Sequence, residues 1–373
     1  MPADGSAHGI RSAELRVIDG SHGEGGGQIL RTALSLSIVT ARGFRLENIR
    51  ANRRNPGLRP QHLAAVRAAA AISGAAVSGD ALGSTELTFA PGHAGRSGDY
   101  VFDVAATAER GSAGSVTLIL QTLVLPLALA EGASTLLARG GTHVDLSPPF
   151  DHFANSYLPA LRQMGFCFDA QLNRWGWRPA GGGEVACRIA PARVERGANP
   201  PMPLTLVRRG PLRRIAGRAA AANLPEHIPQ RMADRARESL CALGVPVDIK
   251  ARCVSAACPG AGIFLTAEYE ALAVSFSALG RLGKPSEAVA DAAVAAFFEH
   301  HVSGAAVEPF LSDQLLAPLA LATGPSTFTV AEPTAHLLTN AWTIGQFGVA
   351  DITVDSGRPR HVRVAPRPCR APR

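Results

Sequence analysis

The segment Asp19-Gly-Ser-His-Gly-Glu-Gly-Gly-Gly-Gln-Ile-Leu-Arg31 places one carboxylate, Glu24, inside a glycine run that ends on an arginine. Glycines at the entrance to a helix let backbone N–H groups approach an anion where unpaired donors and the helix dipole both favour negative charge. A carboxylate beside phosphates suits a divalent cation that bridges them, and Arg31 lies one turn into the helix. The competing reading is a tight turn with a solvated Glu. The run is neither GxGxxG nor a Walker A loop, so neither motif decides between the two.

A second stretch, Ile49-Arg-Ala-Asn-Arg-Arg-Asn-Pro-Gly-Leu-Arg-Pro-Gln-His62, carries Arg50, Arg53, Arg54 and Arg59 just ahead of a helix start. Anion binding and a solubilising loop fit it equally. Gly111-Ser-Ala-Gly-Ser115, entering an apolar helix, reads as an anion nest or as a tight helix entry, and Pro179 to Gly183 reads as a turn. His336 follows Pro333 at a predicted helix start, where the dipole disfavours the imidazolium and leaves a ring nitrogen free to attack. Isolated histidines are more often structural; this one has Glu24 and the arginines as company and no competing lysine nucleophile, since Lys250 and Lys284 are the only lysines.

Apolar periodicity supplies the elements that must hold these groups. Leu15 to Ile18 reads as a strand ending at the glycine loop, and Gln28 to Ala41 as a helix. Strand Phe44 to Ile49, a helix from Arg59-Pro60-Gln61-His62, and strands at Ala76-Val77 and Glu86 to Phe89 follow. The pattern begins again at Ser115 to Ala130, with strand Thr135 to Ala138, a helix from Pro148-Pro149-Phe150-Asp151-His152, and strands near Phe166 to Ala170 and Glu184 to Ile189. A third copy begins at Asp313 to Ala322, with strand Thr327 to Val330, a helix from Pro333-Thr334-Ala335-His336, and strands Ile352 to Val354 and His361 to Val364. Gln61, Asp151 and His336 are then equivalent in position. Residues 198–303 differ in character and are read as a small inserted domain, leaving 1–197 and 304–373 as the large one. The insertion contains an arginine-rich strand region (Leu204 to Arg218) and a helix over Pro225 to Leu243. Strands at Val245 to Val254 and Ile263 to Phe276 and a helix over Ser286 to Val302 complete it. Met1 to Ala13 and most of Asp355 to Arg373 read as loose ends.

The 373 residues suffice for a real core, and the net charge of +7, almost all arginine, fits an anionic partner such as nucleic acid. The six cysteines form no CxxC pair and meet no histidines at zinc spacing, so they read as reduced and structural. No apolar core precedes Arg11, which argues against a signal peptide. The longest apolar run, Val116 to Ala130, is interrupted by Gln121 and Pro126 and is too short for a bilayer. The expectation is a cytoplasmic protein.

Taken together the motifs resemble the RNA 3′-terminal phosphate cyclase family. The matching pieces, in chain order, are DGSxGEGGGQILR (Asp19 to Arg31), IRAxRxxPGLRPQHL (Ile49 to Leu63), GSAGSVTLxLQT (Gly111 to Thr122) and GGTxxxxSPPFD (Gly140 to Asp151). PAGGG (Pro179 to Gly183), SDQLLxPLALA (Ser312 to Ala322) and AHLLTN (Ala335 to Asn340) follow. The resemblance implies an α/β (α+β) fold with three βαβαββ-type repeats, like that of the enolpyruvyl transferases, plus a small inserted α/β domain.

It also implies an ATP-dependent cyclase of RNA 3′-phosphate ends. His336 is then the nucleophile that becomes adenylylated and Glu24 the ligand for Mg²⁺ or Mn²⁺. Gln121, Pro148, His152, Phe310, Leu311, Ser312, Asp313 and Gln314 hold adenosine, and Arg31, Arg50, Arg53 and Gln61 fall near the phosphates. His152 departs from the aromatic residue common at its position, and Asn52 from a common glycine. Two rivals stand beside this reading. A non-catalytic RNA-processing or ribosome-assembly factor of the same fold would need neither His336 nor Glu24, and an enolpyruvyl transferase is favoured by fold alone, which does not fix chemistry.

Overall fold

A computed structural model describes residues 15–104, 113–192 and 201–368. The N-terminal stretch Met1 to Ala13, the last five residues, and Gly111 and Ser112 of the expected nest lie outside the described residues.

The first unit comprises β1 (Arg16–Asp19), α1 (Gly27–Thr40), β2 (Phe44–Glu47), α2 (Pro60–Ser73), β3 (Ala76–Ser78) and β4 (Leu87–Ala90). Its sheet order is β1-β2-β4-β3, with β1 and β2 parallel and the later pairs antiparallel. A helical crossover is what a parallel pair requires. The second unit repeats this with β5 (Asp99–Asp103), α3 (Val116–Ala128), β6 (Ser134–Gly140), a broken helix, β7 (Cys167–Arg174) and β8 (Gly183–Ala190), ordered β5-β6-β8-β7. The broken helix is α4 (Phe150–His152), a π turn (Phe153–Tyr157) and α5 (Leu158–Gln163). Leu158 N–H donates to the Phe153 carbonyl, and Pro159, which has no N–H, follows at once. The missing donor explains why the helix widens here.

The third unit starts with β9 (Thr205–Leu206), well before the rest of its elements. Between them lie β10 (Leu212–Ala222), α6 (His227–Leu240), β11 (Val247–Val254), β12 (Gly260–Tyr269), β13 (Ala273–Leu279) and α7 (Ser286–Ser303). These strands form their own sheet, β11-β10-β12-β13. Then come α8 (Pro309–Gln314), α9 (Leu316–Ala320), β14 (Ser326–Val330), α10 (Ala335–Phe347), β15 (Ala350–Val354) and β16 (Arg360–Pro366), closing a sheet ordered β15-β16-β14-β9. Three units therefore share one topology. The expected strand region Leu204 to Arg218 divides, with Thr205–Leu206 pairing parallel to β14 in the third unit and Leu212 onward entering the other sheet.

Helix α3 is apolar on nearly every side and is buried between α1, α2 and the β6–β8 pair, the position such a sequence demands. Phe44 of the first sheet stacks on Phe89 and meets Phe347 of α10 edge-on, so the first and third units close on each other through an aromatic contact. No helix among the described residues is long and apolar enough to cross a membrane.

Candidate functional site

Packing of α1 against α10 brings the glycine loop of the first unit to the start of the second helix of the third. Gly23 and Gly25 both take left-handed backbone angles, φ 58° and 57°, which favour glycine. A Cβ at Gly27 would stand 2.3 Å from His62 Nε2, and one at Gly23 2.4 Å from Thr339 Oγ1. The loop is thus pressed between α2 and α10, with His22 stacked on Trp342 of α10 and Glu24 reaching toward His336. Asn52 ties it to the arginine loop by donating to the Ser21 carbonyl (2.8 Å).

Thr334 caps α10, its hydroxyl accepting from the Leu337 N–H at 3.0 Å. His336, two residues on, keeps its side chain 46% exposed, and its Nε2 lies 2.8 Å from Glu24 Oε2. Arg53 reaches the same carboxylate oxygen at 3.7 Å, and Gln28 Nε2 donates to it at 3.4 Å. On the other side His336 Nδ1 lies 4.0 Å from Asp313 Oδ2. Partial burial lowers the imidazole pKa below its ordinary value; Glu24 opposes this, and the charges of Arg31 and Arg53 add to it. The ring is therefore mainly neutral at pH 7 and accessible.

Asp313 belongs to a chain of polar groups. Asn340 Nδ2 donates to Asp313 Oδ2 at 3.2 Å, and Asn340 Oδ1 accepts from Thr32 at 2.9 Å. Burial, followed by the charge of Glu308, pushes the Asp313 carboxyl up to about 8; Arg31 and a backbone hydrogen bond pull the other way, and Glu24 adds to the rise. Burial brings the Arg31 guanidinium down to about 10, with Asp313 opposing, so Arg31 stays charged at neutral pH. A cavity of about 60 Å³, enough for about two waters, is lined by Gln28, Arg31, Gln121, Tyr157, Asp313 and Asn340 among others. Gln121 donates to Gln314 Oε1 at its edge, at 2.7 Å.

The other expected site residues fall into two groups. Phe310 is 69% exposed and offers a free ring, whereas Leu311 and Ser312 are buried, the Ser312 hydroxyl donating to the Pro309 carbonyl. The Pro148 carbonyl accepts from Thr117 at 2.6 Å. His152 is buried, its Nε2 held 2.8 Å from Glu308 Oε1 while its Nδ1 has no partner among the described residues. Arg50 donates to the carbonyls of Asn55 and Gly57 and so braces its own loop. Gln61 is half-buried at the start of α2.

Three residues essential to the arrangement had no role in the sequence reading. His62 is buried and kept neutral, foremost by desolvation and then by the charges of Arg31, Arg50 and Arg59, and its Nδ1 accepts from the Arg59 N–H. Glu308 caps α8, accepting from the N–H groups of Phe310 and Leu311. Glu308-Pro309 is a helix-start signal, and Asn340, four residues after His336, lies on the same helical side. Those were the available clues.

As to a metal, no group of three or more His, Cys, Asp or Glu that could hold an ion occurs among the described residues. Glu24 alone fits a hard cation that retains waters and takes most of its remaining ligands from phosphates.

The fold and site define a three-repeat α/β protein with a neutral histidine poised between a carboxylate and arginines. A family model described as RNA 3′-terminal phosphate cyclase matches residues 22–354. The chain is 51% identical to the RNA 3′-terminal phosphate cyclase of Methylococcus capsulatus over 91% of its own length and 93% of that protein's. For the protein of the same name from Trichormus variabilis the identity is 49%, over 91% and 95%. For that of Pyrococcus furiosus it is 41%, over 89% and 92%. The chain belongs to the RNA 3′-terminal phosphate cyclase family of enzymes. With the solved enolpyruvyl transferase NikO from Streptomyces tendae it shares 18% identity over 48% of its length and 32% of that chain's, at a TM-score of 0.26.

Proposed function

We propose that this protein is a cytoplasmic, ATP-dependent enzyme that converts an RNA 3′-terminal phosphate into a 2′,3′-cyclic phosphate through a histidine–AMP and an RNA–adenylate. The observation that carries the reading is His336: accessible, at a helix start, neutral through partial burial, and 2.8 Å from Glu24. A ring nitrogen with a free lone pair attacks the α-phosphorus, and the bond to pyrophosphate breaks. An oxygen of the RNA 3′-phosphate then takes AMP from the histidine. Finally the vicinal 2′-OH attacks the phosphorus of the RNA 3′-phosphate, loses its proton, and expels AMP.

Splitting the displacement through a covalent intermediate replaces one difficult step by easier ones. Arg31 and Arg53 neutralise phosphate charge, and the glycine-loop amides supply fixed donors. Mg²⁺ or Mn²⁺, bound by Glu24 and phosphate oxygens, would stabilise the developing charge. The exposed Phe310 ring would stack on adenine, and Gln121, Gln314 and the Pro148–His152 stretch would hold the nucleoside.

Incubation with α-³²P-ATP and metal, followed by denaturing electrophoresis, tests the first step. An acid-labile, alkali-stable label is expected on the wild type and none on His336→Ala, with unchanged circular dichroism. Label on the variant overturns the nucleophile; no label on the wild type favours a non-catalytic role. For the last step, an RNA ending in a 3′-phosphate on a 2′-deoxyribose should accumulate as the adenylate. Its cyclisation, or AMP transfer to a plain 3′-OH, refutes the mechanism.

A further inference from the structure

A second cleft lies behind the site, on the far side of the broken helix. That helix, Phe150 to Gln163, presents Tyr157 to the small cavity beside Asp313 and presents Asp151, Asn155 and Arg162 to this other space. The cleft measures about 650 Å³, within the range of sites for nucleotide-sized ligands. Its opposite wall is the β11-β10-β12-β13 sheet. Helices α6 and α7 cover one face of that sheet, with Ile249 buried on the covered side. The alternate residues Lys250 and Arg252 of β11, and Arg214 and Arg218 of β10, line the cleft on the other.

Cross-strand pairing sets Lys250 beside Arg218 and Phe264 in one row, and Arg252 beside Ala220 in the next. With Arg162 from the helix, five cationic side chains face the cleft against two acidic ones, Asp151 and Glu268. The acidic pair is already used: Asp151 holds Arg218 in a bidentate pair at 2.8 and 3.0 Å, and Glu268 holds Arg214. Lys250 is held only by an exposed contact of 3.5 Å to Asp248, and Arg252 makes no ion pair among the described residues. Uncommitted positive charge therefore concentrates on the exposed strand β11.

We propose that this cleft binds the sugar–phosphate backbone of the RNA upstream of its 3′ end, Lys250 and Arg252 each contacting a phosphate. The inference rests on the reading of the His336 site as the place where that end reacts. One helix, on the order of 10 Å across, separates the two spaces, and the RNA chain would run round it. The terminal nucleotide would occupy the catalytic side and the next few the cleft. Fixed, bidentate Arg214 and Arg218 shape the wall, while Lys250 and Arg252 remain to exchange counterions for phosphates. The competing account of charges on an edge strand is protection against strand pairing between molecules; it predicts aggregation of variants and no change in RNA affinity.

The test measures binding without ATP, by fluorescence anisotropy on the full chain, for a twelve-nucleotide RNA 3′-phosphate and for a dinucleotide 3′-phosphate. Each phosphate neutralised on a single strand contributes about 0.7 to the slope of log K against log salt. The double variant Lys250→Ala/Arg252→Ala should therefore bind the long RNA about 25-fold more weakly at roughly 0.1 M salt, with a slope smaller by about 1.4. Dinucleotide affinity and self-labelling with α-³²P-ATP should not change. Lys250→Arg/Arg252→Lys should retain wild-type binding of the long RNA. Unchanged affinity of the alanine variant for the long RNA overturns the proposal and leaves the cleft to an acidic protein or to edge protection. Equal loss for both RNAs, or equal binding of both by the wild type, overturns it as well. Failure of the wild type to self-label refutes instead the reading of the His336 site, and the length dependence of binding is read separately from that result.

Discussion

Asp313→Asn should make the metal-free protein more stable, and increasingly so as pH rises. The Asp313 side chain is only 13% exposed, and its carboxyl titrates near 8 because burial, then Glu308, disfavours the charge. The ordinary value is 3.8. The folded state therefore holds this proton between about pH 4 and 8 while the unfolded chain has released it, so stability falls with rising pH across that window. At roughly 1.4 kcal/mol per pH unit, full ionisation corresponds to about 6 kcal/mol of destabilisation. Relaxation around the buried charge recovers part of this, and about 2–4 kcal/mol is the expected measured difference.

Asparagine has the same shape, keeps an oxygen for the Asn340 amide, and never ionises. Urea denaturation of wild type and variant in EDTA, from pH 4 to 9, reads the difference directly. Near pH 4 the two should match within about 1 kcal/mol, as expected of a neutral isostere. By pH 8–9 the variant should lead by the full amount. The same substitution removes a carboxyl that faces His336 Nδ1 at 4.0 Å, so self-labelling should slow even as stability rises, the trade-off typical of strained active sites. A stability difference that stays flat from pH 4 to 9 would show that Asp313 is ionised throughout, and the account of its environment would fall.

Glu24→Gln should leave stability within about 1 kcal/mol of wild type, because its ion pairs are partly exposed. The metal concentration for half-maximal self-labelling should rise by the ten- to hundredfold typical of lost metal-site groups, and an unshifted titration would make Glu24 a bystander. His152→Phe loses the bond to Glu308 but also removes a buried ring nitrogen that has no partner. These effects, each about 1–3 kcal/mol, oppose one another, so stability should change by under about 1 kcal/mol, whereas His152→Ala should lose at least about 2 kcal/mol by leaving a hole. A phenylalanine variant as unstable as the alanine one would show that the Glu308 bond dominates.

Helix periodicity made α1, α2, α3 and α10 legible, and alternation most of the longer strands. β5 was not legible, and β9, although inside the expected strand region Leu204 to Arg218, was not legible as a separate strand of the third unit. β5 has no fully buried face, and β9 is two residues long and separated from its partner β14 by more than a hundred residues of chain. A two-residue strand has no period to detect; only the sheet it completes identifies it. The π turn at Phe153–Tyr157 was invisible for a similar reason, since Pro159 signals a break but not whether the helix stops or widens. Glu24 and His336 were suspected separately from local cues, yet nothing local joins residues so far apart. The resemblance paired them, and the α1–α10 contact sets the 2.8 Å between them. His152 could be assigned to a ring position from its motif, but its pairing with Glu308 across the interior had no counterpart in spacing.

The three units place different residues at the start of the same helix. In each, the second helix begins on the same edge, with backbone N–H groups facing outward and an imidazolium disfavoured. In the first unit that start carries the equivalent residue Gln61, half-buried, and the next residue, His62, turns its ring inward against Gly27 and accepts from the Arg59 N–H, so it shapes the arginine loop. In the second it carries Asp151, which faces away from the site, pairing with the buried His143 at 2.9 Å and with Arg218 of β10. Hydrogen bonds and charges of both partners hold this carboxyl low despite the desolvation that opposes them, so it acts as a fixed anionic anchor between two sheets. In the third unit the residue at the helix start is the half-exposed His336, and there the first unit supplies Glu24 and Arg53 across the α1–α10 contact. The helix start of the third unit is thus the one that meets a carboxylate and an arginine from a different unit among the described residues. The second unit, whose equivalent residue is committed to Arg218, joins the side of the molecule that carries His336 to the basic sheet behind it.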